Sequence, residues 1–179
     1  EGLHLEFPTK VVFDSVSLGI NEGDRIGIVG RNGDGKSTLL GLLAGRLTPD
    51  AGRVTVRNGV TIGSLAQADD FEPEATVRSA VVGDVDDHVW ASDARIRDIL
   101  AGLLSEVELD EPVAGLSGGQ RRRVALARLL VGDWDVLALD EPTNHLDVEA
   151  IAWLANHIKN RWARNRGGLL VVTHDRRFL

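Results

Sequence analysis

Eight consecutive residues, Gly30-Arg31-Asn32-Gly33-Asp34-Gly35-Lys36-Ser37, carry the spacing G-x-x-x-x-G-K-[ST] of a phosphate-binding loop. The chemistry follows from the residue types. Gly30, Gly33 and Gly35 let successive backbone N–H groups curl around anionic oxygens at the positive end of a helix. Lys36 would bring its ammonium to the β- and γ-phosphates, and Ser37 would hold Mg²⁺. Asn32 and Thr38 flank the same cradle. The ligand implied is ATP or GTP.

Such a loop works only between a strand and a helix, and the flanks supply both. Arg25–Val29 is short, apolar and β-branched, as a buried strand is, and Thr38–Ala44 carries leucines on a helical period. Upstream, Leu3–Phe7 alternates like an edge strand, and Val11–Phe13 and Val16–Ile20 read as further strand. Downstream, Arg53–Val56 and Thr61–Leu65 read as short strands about a turn at Asn58-Gly59. Helical spacing returns at Thr76–Val82, Ala94–Leu104, after Leu116–Gln120, and at Val148–Ile158. Val136–Leu139 is an apolar strand ending in Asp140 and Glu141, and Leu169–Val172 is a last buried strand before Thr173 and His174. The expected architecture is α/β, a phosphate-loop core with an antiparallel β edge and a small inserted helical lobe.

Composition bounds the rest. The 179 residues suffice for one domain with a real core, and 43% hydrophobic with 26% charged residues is ordinary for a globular protein. No apolar run is long enough to span a bilayer, and the first residues are no signal peptide. The absence of cysteine excludes a disulfide framework and fits a cytoplasmic location. The chain opens on Glu1 and stops soon after a strand, as a piece of a longer protein would. Charge is unevenly spread: 13 Asp/Glu face 3 Lys/Arg between Asp69 and Glu111, a local balance of −10, while the remainder carries +3 of the net −7. The domain expectation follows, with an αβ core over 1–68 and 114–179 and an acidic helical subdomain over 69–113. An acidic surface repels nucleic acid, so no direct nucleic-acid binding is expected of this chain.

Leu116-Ser117-Gly118-Gly119-Gln120, followed by Arg121-Arg122-Arg123, turns a general phosphate-loop protein into a particular one. It is a second anion site, with serine and glycine N–H groups opening a helix. The pentapeptide resembles the signature segment of ATP-binding cassette (ABC) domains, and the other cassette motifs fall into register with it. The resemblance implies Asp140 as the residue that positions Mg²⁺, and Glu141 as the catalytic base that polarises the attacking water. It implies Gln67 as the glutamine that senses Mg²⁺ and that water, and His174 as the switch histidine on the γ-phosphate. Ser117, Gly119 and Gln120 would face the nucleotide of a partner cassette, and Asp147, in Asn144-His145-Leu146-Asp147, would be the acid of the loop crossing to it. The family often stacks adenine on a tyrosine, which this chain lacks; Phe7 sits best in register, Phe13 is the alternative, and either could belong to the core instead. Asp34 stands where many cassettes have a small neutral residue. A carboxylate beside a triphosphate weakens binding unless it faces solvent, and solvent is where it is expected.

Cassettes divide into engines of membrane transporters and soluble tandem proteins of the ABC-F subfamily, which act on ribosomes or protect them from antibiotics. Glu141–Asp147, Arg121–Arg123 and Thr173-His174-Asp175-Arg176-Arg177-Phe178-Leu179 are similar to ABC-F cassettes, whereas transporters commonly have Ser-Ala-Leu-Asp in place of Asn144–Asp147. The resemblance implies a Mg·ATP hydrolase that needs a second cassette and reaches the ribosome through parts outside this chain. The alternative is the nucleotide-binding subunit of an ABC transporter.

Overall fold

The computed structural model describes residues 1–7, 10–65 and 71–174. They form two compact units, one from the described residues of 1–64, 134–142 and 162–174, the other from those of 65–133 and 143–161.

The first unit holds all the strands found among the described residues. β1 (Leu3–Phe7) and β2 (Lys10–Val16) pair antiparallel in a two-stranded sheet. β3 (Arg25–Ile28), β4 (Ile62–Ser64), β5 (Val136–Asp140) and β6 (Gly168–Val172) form a parallel sheet in the order β3-β6-β5-β4. Every residue of β6 is buried, as a central parallel strand requires. Helix α1 (Lys36–Leu43) serves both sheets because its leucines point two ways. Leu39 and Leu42 pack with Leu3, Leu5 and Phe13, while Leu40 packs with Ala138, Leu170 and Val172 of the parallel sheet. Asp135 fixes the register of β4 beside β5. Its carboxylate accepts the Thr61 N–H at 2.8 Å and the Thr61 hydroxyl at 3.0 Å, and these bonds hold it below the usual carboxylate range.

Two expected strands take another form. Val16–Ile20 does not continue as a strand; β2 ends at Val16, one residue after Ser15 turns to a φ of 59°. Leu18 and Ile20 still pack on the parallel sheet. Arg53–Val56 carries strand-like residues but finds no ladder. Arg53 exchanges backbone hydrogen bonds with Glu1, at 2.8 and 3.2 Å, and Val54 packs against the Leu3–Leu5–Phe13 cluster. Only Val54 is partly buried there, Val56 is 43% exposed, and a strand also needs a neighbour with free backbone groups.

The second unit is helical: α2 (Val77–Val82), α3 (Asp87–Trp90), α4 (Ala94–Leu104), α5 (Gly118–Val131) and α6 (Val148–Asn160), with a 3₁₀ turn at Val113–Gly115. Each long helix starts on a side-chain cap. Thr76 and Ser79 form a capping box, and Asp93 accepts from the Arg95 and Ile96 N–H groups. Helix α5 packs on α2 and α4, and α6 packs on α4, with Val77, Ile99, Leu103, Val124, Leu130 and Leu154 buried. The two compact units do not divide at 113/114. Charge changes there, yet α5 and α6 bury their apolar faces with the acidic helices and belong to the same unit.

Candidate functional site

In a parallel sheet the carboxyl ends of the strands share one edge, and that is where ligands of open α/β sheets bind. Here the edge collects the phosphate loop after β3, Asp140 and Glu141 at the end of β5, and Thr173 and His174 after β6.

The loop has the backbone that its sequence implies. Gly33 and Gly35 adopt φ of 86° and 87°, a region that glycine enters without strain. At Gly35 a side chain is excluded twice over, because an added Cβ would run into Val12 and lie 3.0 Å from the Phe13 ring. Gly35 is the N-cap of α1, and no side chain caps the helix. An uncapped first turn behind two left-handed glycines is a site for an anion. Lys36 Nζ donates to the Gly30 and Arg31 carbonyls, at 2.9 and 2.8 Å, which holds the ammonium over the loop. Asn32 is exposed on it, and Ser37 and Thr38 occupy the first turn of α1.

Asp140 is 6% exposed at the end of β5, opposite Val172 of β6. Glu141 has a φ of 45°, and its N–H donates to the Val172 carbonyl at 2.8 Å. A left-handed glutamate costs about 1 kcal/mol or more and persists only where neighbours hold it. Its Oε1 lies 3.3 Å from His174 Nε2. Among the described residues no cluster of three or more His, Cys, Asp or Glu could hold a metal by itself. Mg²⁺ does not need one, since it takes few protein oxygens and completes its shell with water and phosphate. Ser37 and Asp140 offer the right kind of donor, so the residues present fit Mg²⁺ with a triphosphate.

The second unit carries the other motifs. Ser117 caps α5 in a reciprocal box: its hydroxyl accepts the Gln120 N–H at 3.2 Å, and Gln120 Oε1 accepts the Ser117 N–H at 2.9 Å. Gly119 lies under His145, close enough that an added Cβ would stand 3.3 Å from the His145 Cβ. His145 itself has a φ of 66°. Asp147 caps α6 through the Ala150 N–H at 2.8 Å.

Some expectations move. Phe13 is buried in the core beside Leu39 and Leu42, so its ring is not available for stacking a base. Gln67 lies outside the described residues, as does the side chain of Phe7. Asp34 is exposed as expected, but its carboxylate does not reach outward; Oδ2 accepts the Arg31 N–H at 2.7 Å. The left-handed backbones of Glu141 and His145 had no signal in the sequence, because only glycine or asparagine advertises that conformation.

A model of the ABC transporter family matches residues 13–144. Among curated relatives, the energy-dependent translational throttle protein EttA of Mycobacterium tuberculosis is 38% identical over 95% of this chain and 36% of its own length. The tylosin resistance ATP-binding protein TlrC of Streptomyces fradiae is 36% identical over 99% of this chain and 39% of its own. The chain thus spans little more than a third of these relatives. A solved ATP-binding subunit of an ABC transporter superposes with a TM-score of 0.79 over 97% of this chain and 78% of that one, at 21% identity, which speaks for the fold alone. A structure described as a model of ribosome-bound archaeal Pelota and ABCE1 matches with a TM-score of 0.77 and 32% identity, over 98% of this chain and 29% of that one. No helix among the described residues is long and apolar enough to cross a membrane. The chain belongs to the ATP-binding cassette ATPases, and over most of its length it resembles the cassettes of the ABC-F subfamily.

Proposed function

We propose that this chain is one cassette of a tandem ABC-F protein, that it binds and hydrolyses Mg·ATP against a second cassette, and that its client is the ribosome. The observation that carries the chemistry is the sheet edge, where an uncapped, glycine-turned phosphate loop shares one side with Asp140 and the Glu141–His174 pair. The names of the relatives support the client, since one is a translational throttle protein and another structure is ribosome-bound. Asn144–Asp147 favours the same reading over a transporter engine.

In this mechanism the loop N–H groups of Gly35 to Thr38 bind the phosphates, and Lys36 leaves its two carbonyls to neutralise their charge. Ser37, Asp140 and Gln67 would hold Mg²⁺, which would supply charge neutralisation to the phosphates. Glu141 accepts the proton of the attacking water, and His174, whose Nε2 lies 3.3 Å from Glu141 Oε1, turns its N–H to the γ-phosphate once the nucleotide is bound. Phe7 is the candidate for the adenine stack. An aromatic stack is indifferent to base identity, so ATP should be preferred only modestly over GTP. Ser117, Gly119, Gln120 and Asp147 serve the partner's nucleotide, so a lone cassette lacks half of the donors around its own.

The test uses the full-length parent protein. With Glu141→Gln it should cosediment with ribosomes in Mg·ATP and release them without nucleotide. Nucleotide-independent sedimentation, or none at all, would overturn the ribosomal assignment.

A further inference from the structure

Asp34 sits between Gly33 and Gly35, where both neighbours are left-handed. Two hydrogen bonds pin it across the loop. Its Oδ2 accepts the Arg31 N–H at 2.7 Å, and its own N–H donates to the Arg31 carbonyl at 3.2 Å. The same oxygen lies 3.2 Å from where a Cβ would stand on Gly30, so the side chain is folded along the loop instead of extending from it. Lys36 makes no ion pair with it among the described residues: Nζ is committed to the Gly30 and Arg31 carbonyls. A carboxylate is thus fixed on the loop that would hold the phosphates.

We propose that the Asp34 carboxylate, pinned to the Arg31 N–H, is a charge-discriminating element of the nucleotide site. It weakens binding in proportion to the ligand's phosphate charge and so narrows the preference for ATP over ADP. The inference rests on the nucleotide-binding reading above. Repulsion between like charges scales with the product of the charges, so the triphosphate is penalised more than the diphosphate. The residue is exposed, so salt screens the effect. The hydrogen bond to Arg31 keeps the carboxylate from swinging away when a phosphate arrives.

The test is calorimetry of Mg·ATP and Mg·ADP binding to the full chain at low and high salt, for the parent, Asp34→Asn and Asp34→Ala. Asparagine keeps an acceptor for the Arg31 N–H and removes only the charge; alanine removes both. Expected for Asp34→Asn is ATP binding tighter by about five- to tenfold and ADP by about two- to threefold, with both gains shrinking at high salt. Asp34→Ala should keep the larger gain for ATP. If Asp34→Asn leaves the ATP-to-ADP ratio at the parent's value, the proposal is overturned while nucleotide binding stands. If asparagine matches the parent and alanine alone binds more weakly, Asp34 is a brace and not a charge filter, which also overturns it. A parent that binds neither nucleotide overturns the nucleotide reading itself.

Discussion

The Glu141 carboxylate and the His174 imidazole approach to 3.3 Å although they follow different strands, 33 positions apart in the chain. Three features bring them together. β5 and β6 are adjacent and parallel, with Asp140 opposite Val172, so both residues leave the same edge. Glu141 then turns through a left-handed φ and ties its N–H to Val172. Strain at a carboxylate is tolerated where the position of that carboxylate matters.

From this pair comes the first prediction. Glu141→Gln keeps the oxygen that meets His174 but cannot take a proton, so Mg·ATP binding should survive while turnover falls by about a hundredfold or more. Calorimetry with single-turnover hydrolysis on the parent protein separates the two. Full activity in the mutant would sink the assignment of Glu141 as the base.

Lys36→Ala removes a charge-assisted donor whose present partners are two loop carbonyls. A hydrogen bond to a charged group is worth about 1.5–3 kcal/mol, so ATP affinity should drop by roughly ten- to a hundredfold. Melting should hardly change, because the carbonyls it leaves lie on a partly exposed loop and can turn to water. Unaltered ATP binding by calorimetry would mean that the loop is not the phosphate site.

The motifs were legible because each is a short run whose chemistry depends on residue type and spacing. The phosphate loop, Asp140 and Glu141, and Ser117–Gln120 all stand where strand, loop and helix were expected. Longer-range packing was less visible. Charge divided the chain at 113/114, but burial divides it elsewhere, since Val124 and Leu154 go into one unit with Ile99. Arg53–Val56 showed strand-like residues and not its lack of a ladder, and α3 is too short for periodicity to reveal it. Phe13 could be placed in the core only once α1 was seen to lay Leu39 and Leu42 against it.

The acidic stretch from Asp69 to Glu111 should depend on one of its three cations. Arg78 meets Asp87 at 3.1 Å and also pairs with Asp110, while its backbone N–H donates to the Leu109 carbonyl. Both acids are well exposed, so the pairs are partly screened and worth little singly. Arg78→Ala leaves Asp87 and Asp110 without their shared cation and should lower stability by about 1 kcal/mol, or roughly 2–4 °C in Tm. Calorimetric scans at low and high salt check this. A loss that did not shrink at high salt would point to packing instead of charge.

The last prediction concerns acid stability and rests on His157. Its ring stacks on Trp153 with centroids 4.9 Å apart, and its side chain is only 9% exposed. Nε2 is buried and has no hydrogen-bond partner among the described residues. Burial pushes its pKa below the ordinary 6.5, and the positive charge of Arg161 pushes the same way. Asp98, 3.8 Å from Nδ1, opposes both without prevailing. The folded state therefore holds a neutral imidazole at pH values where the unfolded chain would already be protonated. Above about pH 6.5 both states are neutral, and the group adds no pH dependence. As pH falls below 6.5 the unfolded state gains a proton that the folded state resists, so stability declines until the depressed folded pKa is reached. Replacing the ring with a neutral amide in His157→Gln should lower stability at pH 7.5, through lost stacking, yet flatten its fall below about pH 6.5. Urea titrations of parent and variant at several pH values give both quantities. Parallel pH profiles in the two proteins would show that His157 does not carry the acid sensitivity of this unit.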